Sequence, residues 1–294
     1  MSDPAEMKQS DQPPPVTSIP YDKRNLSYAG TFTNPWKVFV IRSLEWMTGK
    51  IPLLSLVRRF ERIGPATGQA FWAQALGLMG IDLLTPESQI TKIPHTGPVI
   101  VVANHPHGLV DGMILAELIG RIRHDYKILT RTLLTGVQEI EEFMIPVPFP
   151  HEIDARQKSL EMRNLAMAHL RNNGLIVLFP SGVVASVGTY FGPAIEAEWN
   201  PFTANMITKS GASVVPIYFP GQNSRLYQIA SKISATIRQG LLLHEVIQSC
   251  NKPQSPVVGD VIDPKKFCEF SGKPRKLVVW LRDHTLALRQ PPTT

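Results

Sequence analysis

Three short runs of apolar, mostly β-branched residues place the strongest constraint on how this chain can fold. They are GPVIVVAN at residues 97–104, GLIVLFP at 174–180 and ASVVPIYFP at 212–220. Each run is continuously apolar rather than alternating, which is typical of strands buried on both faces of a sheet. Segments with helical periodicity, residues 111–123 and 156–173, separate the runs. This alternation predicts an α/β fold in which helices flank a central, largely parallel sheet.

The composition is that of a globular chain with a mild positive charge. Of the 294 residues 43% are hydrophobic, and Lys and Arg outnumber Asp and Glu by 30 to 24. Such a surface tolerates anionic partners, including phospholipid head groups. We expect no nucleic-acid partner, because no basic cluster or aromatic box typical of RNA-binding domains is present. The two cysteines form no CxxC or Cys/His array, which argues against a structural zinc site or a disulfide scaffold.

The N-terminal region divides into two parts. Residues 1–25 are polar and Pro-rich, and we interpret them as a disordered tail. Residues 26–82 are expected to form amphipathic helices, the first of which has a basic side and an apolar face made by Trp36, Phe39, Val40, Leu44 and Met47. Such a helix either lies in a membrane interface or packs on its own domain, and the sequence leaves both open. The longest uncharged window, residues 63–81, contains Pro65 and four glycines, so we expect no membrane-spanning helix.

A cluster of polar residues follows the first apolar run. The sequence NHPHGLVDG places His105 and His107 directly after the run and Asp111 near the start of the next helix. Functional residues of parallel sheets gather at the carboxyl ends of the strands. One interpretation is a metal site, but the ligand string of metallo-β-lactamase-like hydrolases requires Asp and His where this chain has Leu109 and Val110. We therefore predict no metal ligand here.

Two further interpretations of this cluster need no metal. Histidines after a strand can cap the next helix or bond to the backbone of the turn. Alternatively, a neutral imidazole, with an ordinary pKa of about 6.5, takes a proton from an attacking hydroxyl, and a nearby carboxylate orients it. In that hypothesis His105 is the general base, Asp111 is its orienting partner, and His107 only shapes the turn.

The same residues open a series of four blocks that resembles the lysophospholipid and glycerolipid acyltransferase superfamily, the PlsC-like enzymes. ANHPHGLVDG resembles the first block, KILTRTLLTGVQEIEEFMIPVPF the second, GLIVLFPSGVVAS the third and GASVVPIYFPGQNSRLYQIAS the fourth. The fourth block is similar to that of the hemolysin-like acyltransferase branch. The blocks occur in order between about residues 83 and 263, so the resemblance covers most of the chain. It implies an acyltransferase domain over residues 83–294.

The resemblance also implies substrate-binding residues. Arg131 belongs to the second block, Ser181 and Gly182 to the third, and Arg225 to the fourth. Ser181 and Gly182 have backbone or hydroxyl donors for an oxyanion or phosphate, and the arginines either bind a charged group or form structural ion pairs. The third block departs from the superfamily pattern Phe-Pro-Glu-Gly-x-Arg, because Ser181 replaces the glutamate and no arginine follows. This departure argues against a simple lysophosphatidate-like acceptor.

The function implied is an O-acyltransferase that moves a fatty acyl group from a thioester, acyl-CoA or acyl carrier protein, to a hydroxyl of a lysophospholipid or related lipid. We expect no cofactor and no acyl-enzyme, because neither cysteine lies in a motif and no Gly-x-Ser-x-Gly is present. The expected location is peripheral or monotopic on the cytoplasmic face of a membrane. The alternative is a non-catalytic lipid-binding or scaffolding protein with the same fold.

Overall fold

The computed structural model describes residues 27–131, 137–149, 152, 154–189 and 192–289, and the tail expected at residues 1–25 lies outside this part of the chain. The described strands are β1 (Val99–Ala103), β2 (Tyr126–Thr130), β3 (Met144–Pro146), β4 (Leu175–Leu178), β5 (Ser186–Val187), β6 (Ala194–Ile195), β7 (Ser213–Tyr218) and β8 (Val257–Val258). Six of them form one sheet in the order β3-β2-β4-β1-β7-β8, in which the first five are parallel and β8 is antiparallel. The expected α/β fold with a largely parallel sheet is confirmed.

The three apolar runs form the middle of this sheet. β1 lies between β4 and β7, and Val101 is aligned with Val177 on one side and Val215 on the other. Every residue of β1 and of β4 is buried. Successive side chains of a strand point to opposite faces, so Ile100 and Val101 belong to two separate apolar clusters, one on each face of the sheet.

Helices cover both faces. The described helices are α1 (Pro35–Glu45), α2 (Ile51–Ile63), α3 (Ala70–Leu78), α4 (Glu87–Ile90), α5 (Leu109–Gly120), α6 (Ala155–Arg171), α7 (Pro201–Ser210), α8 (Arg225–Ile233), α9 (Ala235–Gly240), α10 (Leu242–Gln248) and α11 (Pro274–Leu286), with a π-helical segment, Trp46–Lys50, between α1 and α2. Trp72 of α3 and Leu115 of α5 pack in one cluster. Met162 of α6, Ile207 of α7 and Leu281 of α11 pack in the other.

One side of α1 is packed against the rest of the protein. Gly240, at the end of α9, approaches α1 so closely that a Cβ at this position would lie 3.0 Å from Cβ of Leu44. On the same helix Glu45 is buried, and its carboxylate accepts hydrogen bonds from Ser27 Oγ at 2.6 Å and from the backbone N–H of Tyr28 at 2.8 Å. These contacts fix the orientation of α1.

The other side of α1 and the π-helical segment are exposed and apolar. Trp36 and Phe39 stack with their ring centroids 5.7 Å apart, and their exposed fractions are 70% and 60%. Met47 is 81% exposed. By contrast, Phe71 and Trp72 of α3 are buried in the core. Within the described part of the chain no helix is both long enough and apolar enough to cross a bilayer.

Candidate active site

The candidate site is built on the turn between β1 and α5. Asn104 anchors this turn to the end of β7, because its side chain accepts a hydrogen bond from the backbone N–H of Phe219 at 2.7 Å and donates one to the carbonyl of the same residue at 2.8 Å. Gly108, with φ +73°, then leads into α5, and a Cβ there would lie 3.3 Å from Val184. Asp111 sits in the first turn of α5. The turn therefore folds back and brings the histidines to the carboxylate.

Asp111 is the centre of this cluster. Its side chain is fully buried, and Oδ2 lies 3.1 Å from Nδ1 of His105 and accepts the backbone N–H of His107 at 2.9 Å. Its Oδ1 lies 3.0 Å from Nδ1 of His107. The carboxylate thus bridges both rings. A buried carboxylate is stable only when its oxygens are hydrogen-bonded in this way.

The electrostatics of the cluster keep Asp111 ionised. Burial alone would raise the pKa of Asp111, but attraction to His107 and hydrogen bonds from both histidines outweigh it, so the pKa is lowered. Burial would lower the pKa of His107, but its attraction to Asp111 and their hydrogen bond outweigh this and raise it. Because an ionised carboxylate only accepts hydrogen bonds, Nδ1 of each histidine carries a proton. This tautomer leaves Nε2 of His105 free to accept one.

His105 is held on three sides and faces a cavity. Its backbone N–H donates to Oε2 of Glu196 at 3.1 Å, and its carbonyl accepts from the N–H of Ala185 at 2.8 Å. Its ring stacks on that of Phe179, with centroids 3.9 Å apart and planes at 22°. The side chain is 17% exposed and lines a cavity of about 410 Å³. A substrate in this cavity can reach the imidazole.

The structure places four of the predicted residues around this cavity. His105, Arg131, Ser181 and Gly182 line it, and Asp111 lies behind His105. The guanidinium of Arg131 lies 5.0 Å from the ring centre of Phe149. In this cation–π contact the ring attracts the positive charge of the arginine. A Cβ at Gly182 would come 3.8 Å from Nη2 of Arg131, so the second and third blocks meet here.

The donors of the third block are already used within the turn. The hydroxyl of Ser181 donates to the carbonyl of Val183 at 3.0 Å, and the N–H of Gly182 donates to the carbonyl of Phe179 at 2.9 Å. Arg225 is exposed at the start of α8, where it donates to the carbonyl of Gly192 at 2.9 Å. It is not among the residues that line the cavity. Substrate contact by Arg225 therefore stays a prediction that this arrangement does not favour.

Sequence reasoning missed three residues of the site. It gave Asn104 and Glu196 no role, although Glu196 holds the backbone of His105 and accepts the indole N–H of Trp199 at 3.0 Å. It also assigned His107 only to the turn, whereas His107 is a partner of Asp111 and packs on Gly221, where a Cβ would lie 2.9 Å from its Nε2. His107 lies in the turn before α5, so the i,i+4 rule for helices gave no signal for this pair. Nothing in the sequence links Glu196 to a residue 91 positions away.

A family model and two curated relatives connect this chain with acyltransferases. A family model described as "Acyltransferase" matches residues 73–248. The lyso-glycine lipid O-acyltransferase of Phocaeicola vulgatus is 23% identical over 185 residues, which are 60% of this chain and 64% of that protein. The lyso-glycine lipid O-acyltransferase of Bacteroides thetaiotaomicron is 24% identical over 149 residues, 50% of this chain and 52% of that protein. The chain therefore spans less than two thirds of the length of either relative.

A solved structure is also similar. It is the 1-acyl-sn-glycerophosphate (LPA) acyltransferase PlsC from Thermotoga maritima, which superposes with a TM-score of 0.49 at 17% sequence identity. The superposition covers 77% of this chain and 80% of that chain.

Proposed function

Because the chain belongs to the acyltransferase family, whose model matches residues 73–248, we propose that it is an O-acyltransferase acting on lipids. It transfers a fatty acyl group from acyl-CoA or acyl carrier protein to a hydroxyl of a lysophospholipid or related lipid. The observation that carries this proposal is the pair His105 and Asp111, 3.1 Å apart beside the cavity. The relatives named for lyso-glycine lipid make a lysolipid with an amino-acid head group one acceptor to test.

In the proposed reaction His105 is the general base. Its Nε2 takes the proton of the acceptor hydroxyl while the hydroxyl oxygen forms a bond to the thioester carbonyl carbon. The tetrahedral intermediate then collapses and the carbon–sulfur bond breaks. The imidazolium, stabilised by Asp111, returns its proton to the departing thiolate. The products are an ester and a free thiol, and no residue of the protein is acylated.

The walls of the cavity suit the two ends of an acyl thioester. Its apolar lining includes Leu129, Val147, Phe149, Met162 and Leu178, which favour contact with a hydrocarbon chain. Its polar lining includes Arg131, and guanidinium groups bind phosphate and carboxylate in a bidentate manner.

The test of the proposed function is lipid mass spectrometry on cells with and without the protein. We expect loss of one acylated lipid class and accumulation of its lyso form; an unchanged lipid profile would contradict the proposal.

The second candidate function is a non-catalytic lipid-binding protein. The altered third block, with Ser181 in place of glutamate, favours it. The ionised Asp111, which accepts three hydrogen bonds from the two histidines, argues against it, because a binding module gains nothing from an oriented base beside its cavity. The two functions differ in one measurable property, the acceptor-dependent release of thiol from an acyl thioester.

We also propose that the protein attaches to the membrane surface through α1, on the cytoplasmic face. Trp36, Phe39 and Met47 form an exposed apolar face, and basic side chains such as Arg42 are exposed on the same helix. Apolar side chains of an interfacial helix insert below the head groups while basic ones contact anionic lipids. The opposite side of α1 is packed on α9, so the inserted helix remains attached to the fold.

Replacing Phe39 and Met47 together with aspartate is expected to weaken binding to anionic vesicles by roughly 10-fold or more, since two apolar side chains no longer insert. The melting temperature should hardly change, because both positions are exposed. Vesicle flotation measures the effect. The matched control replaces Leu160 and Leu165, exposed residues of α6, with aspartate. An equal loss of binding in the control, or no loss in the α1 variant, would contradict insertion by α1.

Arg131→Lys tests whether Arg131 contacts an anionic group of donor or acceptor. Lysine keeps the charge but loses the planar fork, so kcat/KM should fall by about 10-fold while the melting temperature stays nearly constant. Steady-state kinetics and thermal unfolding are measured on the same samples. Arg171→Lys, at an exposed position at the end of α6, is the control. A parallel fall in stability and activity would instead indicate that Arg131 is structural.

A further inference from the structure

The cavity beside His105 is lined by positive charge. Arg131, Arg163 and Arg238 line it, and among its described lining residues there is no aspartate or glutamate. Arginine stays protonated at any physiological pH. A cavity with walls of low dielectric and charges of one sign concentrates ions of the opposite sign. Its chemistry therefore favours molecules that carry anionic groups.

Arg131 and Arg163 each contact an aromatic ring of the lining. Arg131 follows β2 and Arg163 lies on α6, and the guanidinium of Arg163 lies 5.1 Å from the ring centre of Phe202. These elements also supply much of the apolar wall.

Arg238 comes from a different element of the fold. It lies on α9, half-buried beside Tyr227. Burial raises the pKa of Tyr227 to about 12, although the positive charge of Arg238 opposes this rise. Within the described part of the chain the guanidinium of Arg238 has no carboxylate at salt-bridge distance.

The helix that carries Arg238 packs against α1. Tyr28, in the turn before α1, lines the cavity together with Arg238 and Tyr227. Gly240, two residues after Arg238, lies against Leu44 of α1. The exposed apolar face of α1 lies on the other side of that helix. Arg238 therefore lies on a helix that packs against α1, the helix that we propose contacts the membrane.

We propose that Arg238 binds the anionic head group of the acceptor lipid, a carboxylate or a phosphate, and so selects anionic lysolipids over neutral ones. This inference rests on the proposed function, because it assigns the acceptor of that reaction. The planar guanidinium donates two parallel hydrogen bonds to either group. Binding at Arg238 holds the acceptor while its hydroxyl extends toward His105, which lines the same cavity.

The experiment compares Arg238→Gln and Arg238→Lys with the wild type. One acyl-CoA is supplied with three lysolipids in mixed micelles: one with a phosphate head group, one with an N-acylated glycine carboxylate and one neutral monoacylglycerol. For Arg238→Gln we expect kcat/KM for an anionic acceptor to fall roughly 10- to 100-fold, mainly through KM. The KM of the donor and the rate with the neutral acceptor should change little. Arg238→Lys should retain part of the preference, and the two anionic lipids distinguish phosphate from carboxylate.

Arg275→Gln, which removes an exposed arginine at the start of α11, is the matched control and should leave all three rates unchanged. Equal losses with anionic and neutral acceptors, or no loss with any acceptor, would overturn the proposal. If the wild type acylates none of the three, the proposed function fails on its own. Equilibrium binding of the same micelles still decides the role of Arg238: weaker binding of only the anionic lipids by Arg238→Gln supports it, and unchanged binding overturns it.

Discussion

His105→Ala is expected to lower kcat by roughly 100- to 10,000-fold, the usual contribution of a positioned general base. Without the imidazole no group at this position takes the proton of the acceptor hydroxyl. The fold should survive, because the backbone bonds of residue 105 to Glu196 and Ala185 do not depend on its side chain. Acceptor-dependent release of thiol from acyl-CoA measures the rate, and thermal unfolding checks the fold.

The control for this change is His95→Ala, at an exposed position outside the cavity, which should keep full activity. Near-normal turnover by His105→Ala would remove His105 as the base. A wild type without turnover would favour the lipid-binding alternative. Activity of the wild type that disappears with a chelator and returns with a metal ion would revive the metal-site interpretation of the two histidines.

Asp111→Asn should cost about as much activity and should also destabilise the protein by roughly 2–4 kcal/mol. The carboxylate accepts bonds from Nδ1 of His105 and from the N–H and Nδ1 of His107, and an amide cannot accept all three without directing its own donor at one of them. If the amide directs its NH2 at His105, Nδ1 of His105 can no longer carry its proton; in the opposite orientation the NH2 faces Nδ1 of His107. In both orientations the imidazolium of His105 loses the negative charge that stabilises it. The double variant His105→Ala/Asp111→Asn should lose little more activity than His105→Ala alone, because residues that act as one unit are not additive.

The destabilisation should depend on pH in a defined direction. The pKa of Asp111 is lowered in the folded protein. The stability that the ionised carboxylate contributes is therefore fully present above its pKa in the unfolded chain, about 3.9, and is lost as pH falls through its pKa in the folded protein. Urea unfolding should thus show a larger gap between wild type and Asp111→Asn at pH 7 than at pH 3. Asp260→Asn, in an exposed ion pair with Lys92, is the control and should leave stability nearly unchanged, because water and salt screen such pairs. A gap that is equal at both pH values would contradict an ionised Asp111.

The centre of the fold was predictable because its strands are buried on both faces. β1, β4 and β7 are continuous apolar runs, whereas their order in the sheet, β4-β1-β7, was known only from the structure. β2 and β3 were not identified as strands, since β2 mixes buried and partly exposed residues and β3 has only three residues. Their places in the sheet depend on tertiary pairing, which no local pattern encodes.

The pair His105 and Asp111 was predictable because one turn and the start of one helix contain both residues. His107 was undervalued because its role depends on the turn folding back, so that its backbone N–H and its ring both reach Asp111. Glu196 and Arg238 come from distant segments and reach the site only through packing. The packing of α1 could not be predicted either, because its sequence fits both a membrane interface and a contact with the protein. In the structure one side of α1 packs on α9 and the other side is exposed and apolar.

The most direct test of direct acyl transfer to a lipid hydroxyl is the stoichiometry of a single reaction. Purified wild-type protein is mixed with acyl-CoA and an anionic lysolipid, and free thiol and acylated lipid are quantified together, the lipid by mass spectrometry. We predict that one thiol is released for each ester formed and that no protein is acylated. Without acceptor, the wild type should release thiol no faster than His105→Ala does. Thiol release without ester formation would show hydrolysis, and a covalent acyl-protein adduct would show a nucleophilic residue. Either result would contradict His105 acting as a base for direct transfer.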